Sequence, residues 1–499
     1  MKLNVKCVMV DTGFTPVVII NHLDAIRYDL HPRDRVLIET VGKREKRKFI
    51  SVIDISTTDT SVKSGTIGLL AEAQAAIDAN DGDVVDVHPA PKPESIKIIR
   101  KKMRGERLSE KELDTVVKDI VADELTEIEL TYFVSAVSMH DLSLEEVAAM
   151  TKAVAKNGCR FNAKRKPVVD KHCIGGIPGN RTTMVVVPIL AAFGMTIPKT
   201  SSRAITSPAG TADTMETLAK VSLSLPEMER VVAETGGCMA WGGSLGLAPA
   251  DDKIIRIEKP MSIDAPGLML SSVMAKKFSV GATHVLIDIP YGRTAKVVTR
   301  AEAEALRIHF LTIGKLLNME MLVVLTDGSQ PIGRGIGPLL EARDVMAVLQ
   351  RAPDAPVDLR VKALRLAGEM LEFCGGVQKG SGLEVATSIL ESGSALRKME
   401  EIIAAQGKTS PSEFRLGHQR AVVVASRGGV VRSIDNKAIS KLARMAGAPI
   451  TRGAGLYLHK KVGDRVKKGE ALYTAYADSA EKIRHVRKYH EELKPYTIR

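Results

Sequence analysis

Val168-Val169-Asp170-Lys171-His172-Cys173-Ile174-Gly175-Gly176-Ile177-Pro178-Gly179-Asn180 is the stretch from which the rest of the chain is read. Valines lead into a cation, glycines follow, and Thr182 and Thr183 open an apolar run, which is the order strand, anion-binding turn, helix. Glycines let backbone N–H groups approach an anion closely, the start of a helix is electropositive, and Lys171 adds a full charge. A phosphate, free or esterified, is expected here. The loop matches neither the dinucleotide GxGxxG nor the P-loop with Lys after its last Gly, so a merely tight strand-to-helix turn is the plain alternative.

A second stretch lies downstream, Lys199-Thr200-Ser201-Ser202-Arg203-Ala204-Ile205-Thr206-Ser207-Pro208-Ala209-Gly210-Thr211-Ala212-Asp213-Thr214-Met215-Glu216. Its hydroxyls, its Arg and its Gly-Thr-x-Asp-x-x-Glu spacing resemble those of the thymidine and pyrimidine-nucleoside phosphorylase family. Ala248-Pro249-Ala250-Asp251-Asp252-Lys253, Ser272-Val273-Met274-Ala275-Lys276-Lys277, Thr326-Asp327-Gly328-Ser329-Gln330-Pro331 and Ala367-Gly368-Glu369-Met370-Leu371 follow in that family's order. The departures narrow the resemblance. Nucleoside phosphorylases have a Ser two places after the loop Lys and a Ser-Gly-Arg-Gly run, whereas here Cys173 and Ser201-Ser202-Arg203-Ala204 stand there. The pyrimidine enzymes also carry a base-contacting Arg after the Ala-Pro-Ala-Asp motif, where this chain has a shorter segment, Ile255-Arg256-Ile257-Glu258-Lys259-Pro260. With an extra N-terminal block, these features resemble the archaeal AMP phosphorylase branch, which takes nucleoside 5′-monophosphates.

The residues divide the chain as follows. Residues 1–88 alternate in short runs cut by turns, with one helix expected over Gly68 to Ala79, which reads as a small β-barrel serving oligomerisation or packing. Pro89-Ala90-Pro91-Lys92-Pro93 is linker-like. The segment to Gly158 is helical, with Ser109-Glu110-Lys111-Glu112 and Ser143-Leu144-Glu145-Glu146 resembling helix starts. From Pro167 strand, loop and helix repeat through Val185 to Ile189, Ile197, the hydroxyl-rich loop and a helix from Thr211 to Ala219. Such alternation implies a largely parallel sheet, with ligands beyond the carboxyl ends of its strands. The fold class is α/β: a mixed, mostly parallel sheet lobe (161–249 and 281–404) and a small helical lobe (91–160 and 250–280), nucleoside phosphorylase- and phosphoribosyltransferase-like by resemblance. An N-terminal β-barrel-like domain and a C-terminal α+β subdomain (405–499) complete it. The resemblance implies that the two lobes face each other across a cleft whose closure excludes water.

A net charge of +12 and a pI near 9.3 fit an anionic ligand, with a solvated cationic surface as the bland alternative. Aromatics are only 4% and no basic run interleaves with them, which argues against a single-stranded nucleic-acid platform. The five cysteines are odd in number and lack any CxxC, so neither a disulfide framework nor a zinc site is indicated and the cytoplasm is the expected compartment. The longest apolar run, Met184 to Met195, contains Pro188 and Gly194 and falls short of the ~20 residues that span a bilayer. The N-terminus alternates like a strand rather than presenting a signal-peptide block. No metal, membrane or cofactor is expected, and inorganic phosphate is a co-substrate.

Phosphorolysis of an N-glycosidic bond needs a held phosphate nucleophile, a stabilised oxocarbenium-like sugar and help for the departing base. Lys171, Gly175 and Ser201 are the expected phosphate contacts. Gly176, Ser202, Arg203, Ala204, Ile205, Thr206, Ser207 and Thr211 should surround the nucleotide. Pro290-Tyr291-Gly292-Arg293-Thr294-Ala295-Lys296 follows a strand and offers Lys296 to a second phosphate, unless its cations are simply solvated. Asp264, among apolar neighbours, is the candidate general acid at purine N7, the role an Asp has at the matching place in the resembling branch; a helix N-cap Asp is the alternative. Ser272 and Lys276, one helical turn apart, would meet the base edge. His172 either touches the base or is a satisfied loop histidine. The alternatives are a pyrimidine-nucleoside phosphorylase, a Mg²⁺-dependent phosphoribosyltransferase and a basic nucleic-acid-binding protein. The resemblance implies a homodimer, which the N-terminal block could enlarge.

Overall fold

The computed structural model describes residues 1–13, 16–42, 47–163, 165–204, 207–261, 265–410 and 414–499. Two compact units emerge: Met1–Ala153 with Ala250–Leu268, and Val154–Pro249 with Met269–Arg499.

In the first unit the alternating runs become β1 (Lys2–Cys7), β2 (Val17–Asn21), β3 (Arg35–Thr40), β4 (Lys48–Ser56), β5 (Thr66–Leu69) and β6 (Val84–Pro89). They close into a barrel in the order β1-β5-β2-β4-β3-β6, so no strand edge is left to pair with another chain. Leu3, Val5, Val18, Ile20, Val36, Ile38, Ile53, Ile67 and Val85 fill it. Two short helices accompany the barrel. In α1 (His22–Arg27) the Asn21 side chain caps the start by accepting from Leu23 N at 2.9 Å. The expected helix over Gly68–Ala79 is shorter: Gly68 lies in β5 and only Ala71–Ile77 forms α2. Pairing of β5 with β1 and β2 overrides the local helical pattern, and a Cβ at Gly68 would lie 2.9 Å from Val62 Cγ2.

Helices α3 (Ser95–Met103), α4 (Glu110–Val121), α5 (Glu127–Met139) and α6 (Leu144–Lys156) follow. The two expected helix starts are present: Ser109 N and Ser143 N donate to Glu112 and Glu146, whose backbone N–H groups donate back to the serine hydroxyls. Of Leu113, Val116, Val117, Ile120 and Val121, whose helical spacing predicts a core face, the first four are buried and Val121, the last residue of α4, is half-buried. Arg35 of the barrel pairs with Glu129 of α5 at 2.5 Å.

In the second unit β7 (Val169–Cys173), β8 (Ile197–Ser201), β9 (Gly237–Trp241), β10 (His284–Tyr291) and β11 (Glu320–Asp327) all run parallel. The order is β11-β10-β7 and β8-β9, with a parallel Val168–Thr196 bridge setting β8 beside β7. The loop after β7 leads into α7 (Thr182–Phe193), which contains Val185–Ile189, so that segment is helix rather than strand. Buried on nearly every side, α7 shows the continuous apolar run that a core strand would also show, and only its length decides between the two. Next come α8 (Thr211–Glu216) and α9 (Leu225–Thr235); α10 (Pro249–Met261) belongs to the first unit, and the chain returns to the second along α11 (Pro266–Ser279) and goes on to α12 (Arg300–Leu316). After the short β12 (Gly335–Ile336), helices α13 (Pro338–Gln350), α14 (Val357–Phe373), α15 (Gly382–Glu391) and α16 (Ser394–Gln406) share a core with α7 through Val186, Leu190, Leu366, Met370 and Ile402.

Residues after 418 build β13 (Gln419–Val424), β14 (Gly429–Ile434), α17 (Asn436–Ala446), β15 (Gly455–Leu458), β16 (Arg465–Val466), β17 (Ala471–Ala477), α18 (Ala480–Leu493) and β18 (Tyr496–Ile498). Their core of Ile439, Leu442, Leu456, Tyr473 and Val486 is separate, yet β15 pairs antiparallel with β12, which ties this subdomain to the segment just before α13. Among the described residues no helix is long and apolar enough to cross a membrane.

Candidate active site

The second unit gathers three loops at the carboxyl ends of β7, β8 and β10. In the first, Gly175, Gly176 and Gly179 take φ of +87°, +86° and +76°, backbone that only glycine adopts without strain. Space forbids a side chain at two of them as well. A Cβ on Gly179 would lie 2.0 Å from Ile332 O, and one on Gly176 would lie 2.5 Å from Lys296 N and 2.7 Å from Lys296 Cβ. The glycine loop and the cationic turn after β10 are thus in direct contact, and Lys296 itself is exposed.

Lys171 does not reach out of this loop. It is fully buried, donates to Thr182 Oγ1 at 2.9 Å and Thr183 Oγ1 at 3.2 Å, and faces Asp288 at 3.8 Å. Its position in β7 turns it toward the start of α7, so its charge lies beneath the loop. Asp288 also pairs with Lys362 at 3.0 Å and accepts from Thr326 at 2.6 Å. Burial alone would raise the Asp288 carboxyl, but Lys362, Lys171 and the Thr326 hydroxyl hold it below the ordinary range, while burial lowers Lys171. Cys173, where the family has a Ser, accepts from Asn180 Nδ2 at 3.2 Å and from Gly175 N at 3.5 Å. Burial raises its thiol, so it stays neutral and shapes the loop.

A second buried group sits on the other side of β7. Asp170 meets Lys199 at 3.2 Å and Lys277 at 2.9 Å. Burial, offset in part by Asp170, brings Lys199 down to about 7. Four lysines therefore face two carboxylates beneath the loops, an excess of positive charge suited to an anion. His172, half-buried amid the fields of Lys277, Lys199, Lys171 and Lys276, is held well below its ordinary pKa, first by desolvation. It is neutral near pH 7 and offers a hydrogen bond rather than a charge.

In the hydroxyl-rich loop, the Gly-Thr-x-Asp-x-x-Glu spacing has a structural cause. Asp213 accepts from Ala204 N at 2.7 Å and Gly210 N at 2.9 Å, folding the loop back on the start of α8. A Cβ on Gly210 would lie 2.6 Å from Ser202 O. Arg203 is taken up by Glu216, at 2.6 and 2.8 Å, and by the Trp241 ring at 4.9 Å, so its guanidinium braces the loop. Arg452 of the C-terminal subdomain joins the same two acids, a partner that no motif signalled. By contrast Ser201 Oγ and Thr200 Oγ1 are buried without a hydrogen-bond partner among the described residues, the state expected of groups awaiting a ligand. On α11, Lys276 Nζ donates to Ser272 Oγ at 3.3 Å. Thr211 opens α8, and Ser207 donates to Ala209 O at 3.1 Å. Ile205, Thr206 and Asp264 lie outside the described residues. Among the described residues no group of three or more His, Cys, Asp or Glu could hold a metal ion.

The sequence is matched by three family models: the glycosyl transferase family helical bundle domain over residues 96–158, the glycosyl transferase family a/b domain over 165–396, and the pyrimidine nucleoside phosphorylase C-terminal domain over 430–495. AMP phosphorylase of Pyrococcus furiosus is 44% identical over 97% of this chain and 95% of its own. The chain belongs to the nucleoside phosphorylase family that includes the AMP phosphorylases. Within that family, AMP phosphorylase of Thermococcus kodakarensis is 45% identical over 92% of this chain and 91% of its own. A putative thymidine phosphorylase of Rhodopseudomonas palustris is 44% identical over 95% and 92%. Overall identity therefore ranks neither substrate class first. The family fold extends to anthranilate phosphoribosyltransferase of Thermus thermophilus, with a TM-score of 0.52 at 20% identity, covering 62% of this chain and 98% of that one.

Proposed function

We propose that this protein is an AMP phosphorylase: AMP and phosphate give adenine and ribose 1,5-bisphosphate, with CMP and UMP as further substrates. The observation that carries the reading is the contact between Gly176 and Lys296. A nucleoside phosphorylase needs one anion site, whereas a nucleotide phosphorylase needs a second for the 5′-phosphate, and here a cationic turn lies against the glycine loop.

In this reading the attacking phosphate lies at the loop carrying Gly175 and Gly176 and takes the unpartnered Ser201 hydroxyl, within the field of the buried lysines. Ser202 to Ser207 and Thr211 surround the nucleotide, Lys296 grips its 5′-phosphate, and Ser272 and Lys276 meet the base. A phosphate oxygen forms the new bond to C1′ as the C1′–N9 bond breaks, its electron pair leaving with adenine. Asp264 gives its proton to N7, so the base departs neutral, and the carboxylate is reprotonated from solvent. Phosphate is the co-substrate and no cofactor enters.

The protein would work as a homodimer. Ile128, Tyr132 and Met139 of α5, with Met103, expose an apolar face in the first unit that a second copy would cover, and sedimentation equilibrium reads the mass.

The deciding experiment measures free base released from AMP, CMP, UMP and their nucleosides, with and without phosphate. AMP should be the best substrate and release should require phosphate; preference for thymidine or uridine would give the pyrimidine-nucleoside reading instead. Lys296→Ala should raise KM for AMP by about tenfold or more, the worth of a charged hydrogen bond, with a far smaller effect on adenosine. Equal losses on both would remove Lys296 from the 5′-phosphate.

A further inference from the structure

The C-terminal subdomain supplies no residue to the site as read from sequence, yet it reaches both sides of it. Arg452 holds the acids that shape the hydroxyl-rich loop. Asn436 reaches the other side. It is the first residue of α17, has no solvent exposure, and both its backbone N and its Nδ2 donate to Thr294 Oγ1 at 3.1 Å. Nδ2 also donates to Gly328 O at 2.9 Å.

Each acceptor belongs to an element that places an anion site. Thr294 is two residues before Lys296, in a turn closed by Ala295 N to Gly292 O at 2.9 Å and Gly292 N to Val297 O at 3.0 Å. Gly328 follows the last residue of β11, bonds through its N to Tyr291 O at 2.9 Å, and packs so closely on Ile177 of the glycine loop that a Cβ would lie 3.0 Å from Ile177 Cδ1. One buried amide thus ties the Lys296 turn to the segment beside the glycine loop.

We propose that Asn436 is a positioning residue for the 5′-phosphate site: by bonding Thr294 and Gly328 together it sets where the Lys296 turn stands relative to the glycine loop, and so how tightly a nucleotide is held compared with its nucleoside. This rests on the reading of Lys296 as the 5′-phosphate contact. A buried amide that merely supports the fold would lower stability and leave substrate preference alone. An amide that places Lys296 changes the affinity for substrates carrying the phosphate and spares those without it.

The test uses the full-length enzyme with AMP and adenosine as paired substrates. Asn436→Ala should raise KM for AMP about tenfold or more, through the loss of the two buried hydrogen bonds its Nδ2 makes, with kcat and the kcat/KM for adenosine within about twofold of the parent. Thr294→Val should do the same from the other end of the bond, Thr294→Ser should restore the parent KM, and the double variant should be no worse than either single one. Should Asn436→Ala fail to fold, the Thr294 pair decides. Equal losses on AMP and adenosine, or a lowered Tm with KM for AMP unchanged, overturn the proposal. Failure of the functional reading looks different: the parent enzyme itself then shows no preference for AMP over adenosine, and the positioning role falls with it.

Discussion

Gly176 and Gly175 offer a matched pair of perturbations. Both have φ near +87°, so replacing either with Ala forces an L side chain into the left-handed region at a cost of roughly 1–2 kcal/mol. They differ in what the new methyl meets. At Gly175 nothing lies within 4 Å, whereas at Gly176 the methyl would be 2.5 Å from Lys296 N and 2.7 Å from its Cβ. Overpacking of this kind costs about 1–3 kcal/mol, and the neighbour is backbone, so relief requires the two loops to move apart. Separation of the anion sites should then appear in kcat/KM for AMP as a loss about 5- to 150-fold greater for Gly176→Ala than for Gly175→Ala, at 1.4 kcal/mol per tenfold. Initial rates of adenine release, with AMP and phosphate varied in turn, measure this, and thermal melts follow the strain the two variants share. Equal losses in the two variants would refute the idea that contact between the loops sets the distance between two anions.

Ser201→Ala removes a buried hydroxyl that has no hydrogen-bond partner among the described residues, so Tm should hold while KM for phosphate rises about tenfold or more, and a phosphate titration of initial rates checks this. Asp264→Asn should cut AMP turnover by about a hundredfold or more by removing the N7 proton, with unchanged turnover ending that role. Asp288 has a folded pKa below its ordinary 3.8, so its contribution to stability is complete above pH 3.8 and is lost as pH falls through the depressed value. Asp288→Asn should therefore cost about 3–5 kcal/mol near neutrality by leaving Lys171 and Lys362 without their carboxylate, and the gap from the parent should narrow on acidification. Melting temperatures of both proteins across acid pH read it, and a constant gap would contradict the sign.

Local sequence was sufficient wherever the cause was local. Gly-Gly-Ile-Pro-Gly after a valine strand could only be a turn with left-handed backbone, and the Ser-x-x-Glu starts at Ser109 and Ser143 formed caps because their partners lie three residues away. Hydroxyls, glycines and acids in the run 199–216 marked the second loop for the same reason. What tertiary structure alone decided was where long side chains end. Lys171 carries the same charge whether it points into the loop or beneath it, and only Thr182, Thr183 and Asp288 draw it beneath. That Arg203 is held by Glu216 and the Trp241 ring is likewise a tertiary fact. Asn436 and Arg452 lie 142 and 236 residues from their partners Thr294 and Glu216, beyond the reach of any local pattern. The sequence by itself determined that a glycine-rich turn and a hydroxyl-rich loop follow their strands, because backbone conformation follows from neighbouring residues. That the glycine loop touches the Lys296 turn was decided by parallel pairing of β7 with β10, which sets the ends of those two strands side by side.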